Sequence, residues 1–152
     1  MGLFSALRVI PLTLIPLIIY NIIMFSMGSG DAEEGVSAFG VFNDTILWEV
    51  NLVSGALWKF TLGNLMIIMS LFFLFFEVIK ATNTGSAGMA DHALSTLVFI
   101  AFLMEFMMVK NAGSSTFFIM AIIALIDVIA GFMISISVAR RDMTMAPGMG
   151  SH

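Results

Sequence analysis

Two long apolar runs, each with one acid set deep inside it, constrain this chain more than any other feature. LVFIAFLMEFMMV holds Glu105, and FFIMAIIALIDVIAGFMISISV holds Asp127; the short polar turn Lys110–Ser115 joins them. Runs of this length and apolarity belong in lipid. A charge at that depth costs roughly 2.5–3.5 kcal/mol on insertion scales. Both carboxylates must therefore face the protein interior, find partners there, or carry a proton.

Four apolar runs satisfy the spanning length of about 17–25 residues: about Leu3–Met27, Leu62–Ile79, Ala93–Val109 and Thr116–Val138. The composition agrees, since only 11% of residues are charged and 60% are hydrophobic, against about 25% charged in ordinary soluble domains. These runs leave no length for a separate soluble domain. The expected fold is an all-α membrane protein, a four-transmembrane-helix bundle over residues 1–141, with a small β-hairpin in its first extracytoplasmic loop and a disordered tail at 142–152. The chain has no cysteine, which excludes thiol nucleophiles, disulfide exchange and cysteine-held metals. A net charge of −4 with six bases speaks against nucleic acid.

In chain order, Leu3–Met27 reads as a first span rather than a signal peptide. It is long for a signal core, and no A-x-A site follows it. Pro11 and Pro16 within it favour a kink; Tyr20 and Asn21 suit an interfacial anchor and a helix–helix hydrogen bond. Gly28–Thr45 reads as a solvated acidic loop, with capture of a cation by Asp31, Glu33 and Glu34 the less favoured alternative. Residues 46–61 alternate apolar and polar on both sides of Val53-Ser54-Gly55, a β-hairpin signal. Its apolar side would carry Trp48, Trp58 and Phe60 on the membrane surface, with Glu49 paired to Lys59 across the strands. The rival reading is an interfacial amphipathic helix. Thr61 suits the N-cap of the second span, Asp91 that of the third, and Ser114 or Ser115 that of the fourth. Arg8, Lys80, Arg140 and Arg141 fall on one side, against Lys59 and Lys110 on the other. Both termini are thus expected in the cytoplasm.

Helical spacing gathers the chemistry-bearing residues. On the fourth run Ala124, Asp127, Gly131 and Ser135 share one stripe, and small residues of this kind let membrane helices approach closely. Gly63, Ser70 and Glu77 share a face of the second run; Glu105 stands one turn beyond Ala101 on the third. His92, Glu77, Asp127 and Glu105 would then form a staggered row of titratable groups across the bilayer, the arrangement that carries protons in pumps. The favoured reading is structural: acids protonated and bonded to Ser70, Ser95, Thr96, Tyr20 or a backbone carbonyl to hold helix register, or bound to a partner subunit's polar group. No cofactor is expected, because two histidines, His92 and His152, cannot supply paired axial haem ligands. No metal site, G-x-S-x-G, H-E-x-x-H or P-loop motif is present. The methionines read as core filling.

The run KATNTGSAGMADHALSTLVF, with IDVIAGF and ARRD after it, resembles small bacterial inner-membrane proteins to which no activity is assigned. The resemblance covers most of the chain and implies a multi-pass protein of the inner membrane. In architecture alone, Trp48 and Trp58 around Leu57 in a first outer hairpin are similar to claudins, without the paired cysteines of that family; that likeness implies lateral association through the hairpin edge. The expected role is non-enzymatic. The protein would work by assembly, as an accessory subunit of a larger membrane complex or a self-associating scaffold, its partners being the bilayer, other membrane subunits or further copies of itself. Its contacts would be the stripe of Ala124, Gly131 and Ser135 and the hairpin residues Trp48, Trp58 and Phe60. The runner-up is a small proton-coupled transporter or channel that uses the buried carboxylates.

Overall fold

A computed structural model of the chain describes residues 10–27, 38–82 and 87–145. It is mostly helical with one two-stranded antiparallel hairpin. The elements run α1 (Leu14–Met27), α2 (Ala38–Asp44), β1 (Ile46–Asn51), β2 (Leu57–Thr61), α3 (Leu62–Thr82), α4 (Ala87–Met108), a 3₁₀ turn (Lys110–Ala112) and α5 (Ser115–Met145). The acidic segment with Asp31, Glu33 and Glu34, the Arg8 end of the first run and the end of the tail lie outside what is described. The helix expected to start at an Asp91 cap already runs from Ala87, so Asp91 lies within it and is not its N-cap.

The boundaries follow from local chemistry. α1 starts later than its apolar run, because Pro11 and Pro16 flank its first turn. The amides of Leu14 and Ile15 reach back to the carbonyls of Pro11 and Leu12 at 3.1 and 3.0 Å, the tight turn that opens the helix. Pro16 falls in that first turn, where a missing N–H costs nothing. The prolines therefore start this helix instead of kinking its interior. α3 follows β2 without a linker, and the Asn64 amide donates to the Thr61 side chain at 3.3 Å. Ser114 caps α5 in the same way, accepting from the Phe117 amide at 3.1 Å. α4 begins at Ala87, ahead of the expected start near Ala93, and α5 continues to Met145, so residues 142–145 are helical rather than part of a tail.

The hairpin has the register its alternation implies. Trp48 lies opposite Phe60, Glu49 opposite Lys59 and Val50 opposite Trp58, with an irregularity between Ile46 and Trp48. Gly55 closes the turn at φ 84°, a left-handed conformation that glycine adopts freely.

α5 is the central helix, packed along both α3 and α4. The core is aromatic at the end that holds the hairpin and the 3₁₀ turn. There the Tyr20 ring stacks on Phe42 of α2 at 4.1 Å and meets Phe117 at 4.8 Å, while Phe102 meets Phe117 at 5.3 Å. Gly63 admits this arrangement: a side chain there would meet the Phe42 carbonyl at 2.9 Å and the Thr116 hydroxyl.

Two helices, α3 and the Ser115–Ser137 part of α5, are long and apolar enough to cross a membrane. Two further apolar segments among the described residues, Leu14–Ser26 and His92–Met108, are shorter than these two. At 1.5 Å per residue α1 reaches only about 21 Å. The outer faces are apolar throughout: Leu65, Ile68, Phe72, Phe75 and Ile79 project from α3, and Phe118, Ile122, Ile126, Ile129, Met133 and Ile136 form a stripe along α5.

Candidate functional site

The polar side chains set deepest in the structure gather at two levels along α1. The lower level surrounds its N-terminus. An opening helical turn leaves amides without intrahelical acceptors, and α3 supplies one: the Leu12 amide donates to Glu77 Oε2 at 2.9 Å. Lys80, one turn further along α3, pairs with Glu77 Oε1 at 2.8 Å and donates to the Ile10 carbonyl at 3.0 Å. On the other side the Thr13 hydroxyl donates to Asp127 Oδ2 at 3.1 Å. Glu77 and Asp127 are thus drawn to adjacent residues, Leu12 and Thr13, just ahead of α1, and both are almost wholly buried, at 2% and 4% exposure. Seven-residue spacing on α3 put Gly63, Ser70 and Glu77 on one face, and all three are buried.

The His92 ring lies against Gly131, one turn along α5 from Asp127; a methyl at Gly131 would meet the ring. Ala124 and Gly131 are buried within the chain's own packing, while Ser135 is half-buried. Glycine at 131 is what allows α4 to bring an imidazole this close to α5.

The upper level lies near the C-terminal half of α1. Asn21 donates through Nδ2 to Glu105 Oε2 at 3.0 Å and to the Leu17 carbonyl at 3.1 Å. Glu105 Oε1 is buried and has no hydrogen-bond partner among the described residues. Tyr20, fully buried, shares a 2.8 Å hydrogen bond with Ser114. Tyr20 is therefore a core residue and not an interfacial anchor. On α4 the inward face carries Ser95, Val98 and Phe102, with Glu105 at its end; Ala101 is exposed, so it does not share that face as expected.

Eight residues of α1 separate Thr13 from Asn21, about 12 Å of helix. Between them a crevice lined by Thr13, Pro16, Ser70, Phe102, Met120 and Ala124 is too narrow to admit a water molecule. Glu77 and Asp127 thus meet the consecutive residues Leu12 and Thr13, with Glu105 at the other level. Among the described residues no three of His, Cys, Asp and Glu are grouped to hold a metal ion. The hairpin residues stand away from both levels, with Trp48 and Trp58 exposed and Phe60 half-buried.

Thr13 was the residue the sequence concealed. Its signal was a single hydroxyl between two prolines in an apolar run, and only the fold places Asp127 opposite it. No family model matches the chain, and no curated protein or solved structure shows a significant match to it.

Proposed function

We propose that the protein is a four-helix transmembrane bundle of the bacterial inner membrane, with both termini cytoplasmic, that works by assembly rather than chemistry. It would serve as an accessory subunit of a larger membrane complex or as a self-associating scaffold. One observation carries this reading: the distribution of polarity is inverted. Of the acids on the apolar helices, Glu77 and Asp127 are buried and Glu105 is half-buried, all three bonded within the chain, while large apolar side chains cover the outer faces of α3, α4 and α5. Soluble monomers rarely expose continuous apolar surface on this scale; a helix bundle in lipid does so by necessity.

The short α1 and the shorter apolar stretch of α4 are compatible with crossing. Non-helical backbone at membrane depth is tolerated where protein satisfies its polar groups, and Glu77 does this for Leu12. The bases also separate by end, with Lys59 and Lys110 beside the hairpin and the 3₁₀ turn, and Lys80, Arg140 and Arg141 towards the far ends of α3 and α5, three against two. That supports cytoplasmic termini.

The bonding of the acids supports a structural use. Each ties α1 or the turn just ahead of it to another helix. The test combines native mass spectrometry in mild detergent with flux measurements in reconstituted vesicles. Assembly predicts a defined oligomer or hetero-complex, retained in Asp127→Asn and Glu105→Gln, and no proton-coupled flux. A monodisperse monomer without partners, or flux abolished by Asp127→Asn, would refute it.

A further inference from the structure

We infer that the aromatic face of the β1–β2 hairpin is a membrane-interface anchor, seated in the headgroup zone of the bilayer that α3 crosses. The inference rests on the transmembrane reading above and names the occupant of this surface.

Placement is the first ground. β2 ends at Thr61 and α3 begins at Leu62, and the Leu62 amide donates to the Thr45 carbonyl at 2.9 Å just before β1. Both strands are thereby rooted at the end of an apolar helix, without a linker. The hairpin is held where a bilayer's hydrocarbon gives way to headgroups.

The two faces are the second ground. Cross-strand partners in an antiparallel pair project to the same side. Trp48 with Phe60, and Val50 with Trp58, make one side aromatic and apolar; the other side carries the Glu49–Lys59 pair, 3.7 Å apart, beside Leu47, Asn51 and Leu57, so both tryptophans lie on the side without the charges. The rings of Trp58 and Phe60 are in contact at 5.7 Å between centroids. Val50 and Phe60 of this side are half-buried, while Trp48 remains 66% exposed and Trp58 46%.

Chemical fit decides between lipid and a second copy of the chain. An indole carries one N–H donor that needs an acceptor when it leaves water. The aromatic side offers none, being built from Trp48, Val50, Trp58 and Phe60. Two such faces pressed together would strand four indole donors. Ester and phosphate oxygens of the headgroup zone accept from all of them, while the rings rest on the upper acyl chains, the setting in which tryptophan is enriched.

Trp48 and Trp58 are the two tryptophans of the chain, so intrinsic fluorescence reads the hairpin alone. The full chain is reconstituted in phosphatidylcholine vesicles carrying bromine either high or deep on the acyl chains. Emission is then measured with each lipid and with aqueous iodide. The expected result is a blue-shifted emission, quenched more by shallow than by deep bromine and several-fold less by iodide than free tryptophan amide. Trp48→Phe and Trp58→Phe should each leave one tryptophan at the same shallow depth. Emission open to iodide and untouched by bromine overturns the inference, as the hairpin then stands in water. Emission shielded from both quenchers overturns it too, because protein then covers the face. Carbonate extraction of the same vesicles separates the two readings: a chain that resists extraction but fails the quenching test loses only the anchor, whereas an extracted chain loses the membrane reading as well.

Discussion

Replacing Gly131 by alanine should change stability with a sign that depends on His92. An added Cβ would lie 2.6 Å from His92 Cε1 and 3.1 Å from Cγ, where ordinary contact begins at 3.4 Å. The ring must retreat by most of an ångström, or α4 and α5 must part. Overpacking of this kind costs about 1–3 kcal/mol. Against it stands the helix-propensity gain of alanine over glycine in a helix interior, about 1 kcal/mol. The net effect of Gly131→Ala is a loss of about 1 kcal/mol, equivalent to a fall of about 3 °C in melting temperature for a chain of this size. In a His92→Ala background the clash is gone and only the propensity gain remains, so the same change should raise the melting temperature by a similar amount. Circular dichroism melts of the four variants in detergent read both values. If Gly131→Ala stabilises the two backgrounds equally, the imidazole does not rest on Gly131 and the packing of α4 on α5 is misread.

Ser114→Ala should cost more than Tyr20→Phe, because Ser114 both caps α5 and bonds the buried phenol. The losses expected are about 2 kcal/mol for the serine, from a cap and a hydrogen bond together, and about 1 kcal/mol for the phenol, whose ring stacking survives; equal melting temperatures would contradict this. Glu77→Ala removes the acceptor of the Leu12 amide and the partner of Lys80, and breaking a buried pair costs about 3–5 kcal/mol. Glu77→Gln retains an acceptor for Leu12 and should lose clearly less in the same melts. Gly63→Ala should destabilise by about 1–3 kcal/mol, and Thr116→Ala should restore only part of that, because the Phe42 carbonyl is backbone and cannot swing aside.

Features written in local periodicity were readable before any coordinates. The alternation around Val53-Ser54-Gly55 specified the hairpin and its Glu49–Lys59 pair, and seven-residue spacing put Gly63, Ser70 and Glu77 inward. The serine and threonine caps were equally plain, being single-residue chemistry next to an apolar run. Other features depend on what lies across the fold. Seven-residue α2 is too short to show a helical period, yet its Phe42 fills the core against Tyr20. Pro16 looks like a helix interruption until Leu14 is known to start the helix. The partners of the acids, Thr13 for Asp127 and Asn21 for Glu105, lie 114 and 84 residues away in sequence. Their pairing follows from helix order and depth, which no local pattern records.

The central claim is that the outer apolar faces of α3 and α5 meet lipid, and the absence of native cysteine makes it directly measurable. Single cysteines introduced at Phe75, Ile126, Lys59 and Arg140 are exposed in intact cells to a membrane-impermeant maleimide, then again after permeabilisation. Phe75→Cys and Ile126→Cys should stay unlabelled in native membranes in both conditions, although both positions lie on the exterior of the fold. Lys59→Cys should react from outside, and Arg140→Cys only after permeabilisation. Rapid labelling of Phe75→Cys or Ile126→Cys without detergent would place those faces in water and contradict the account.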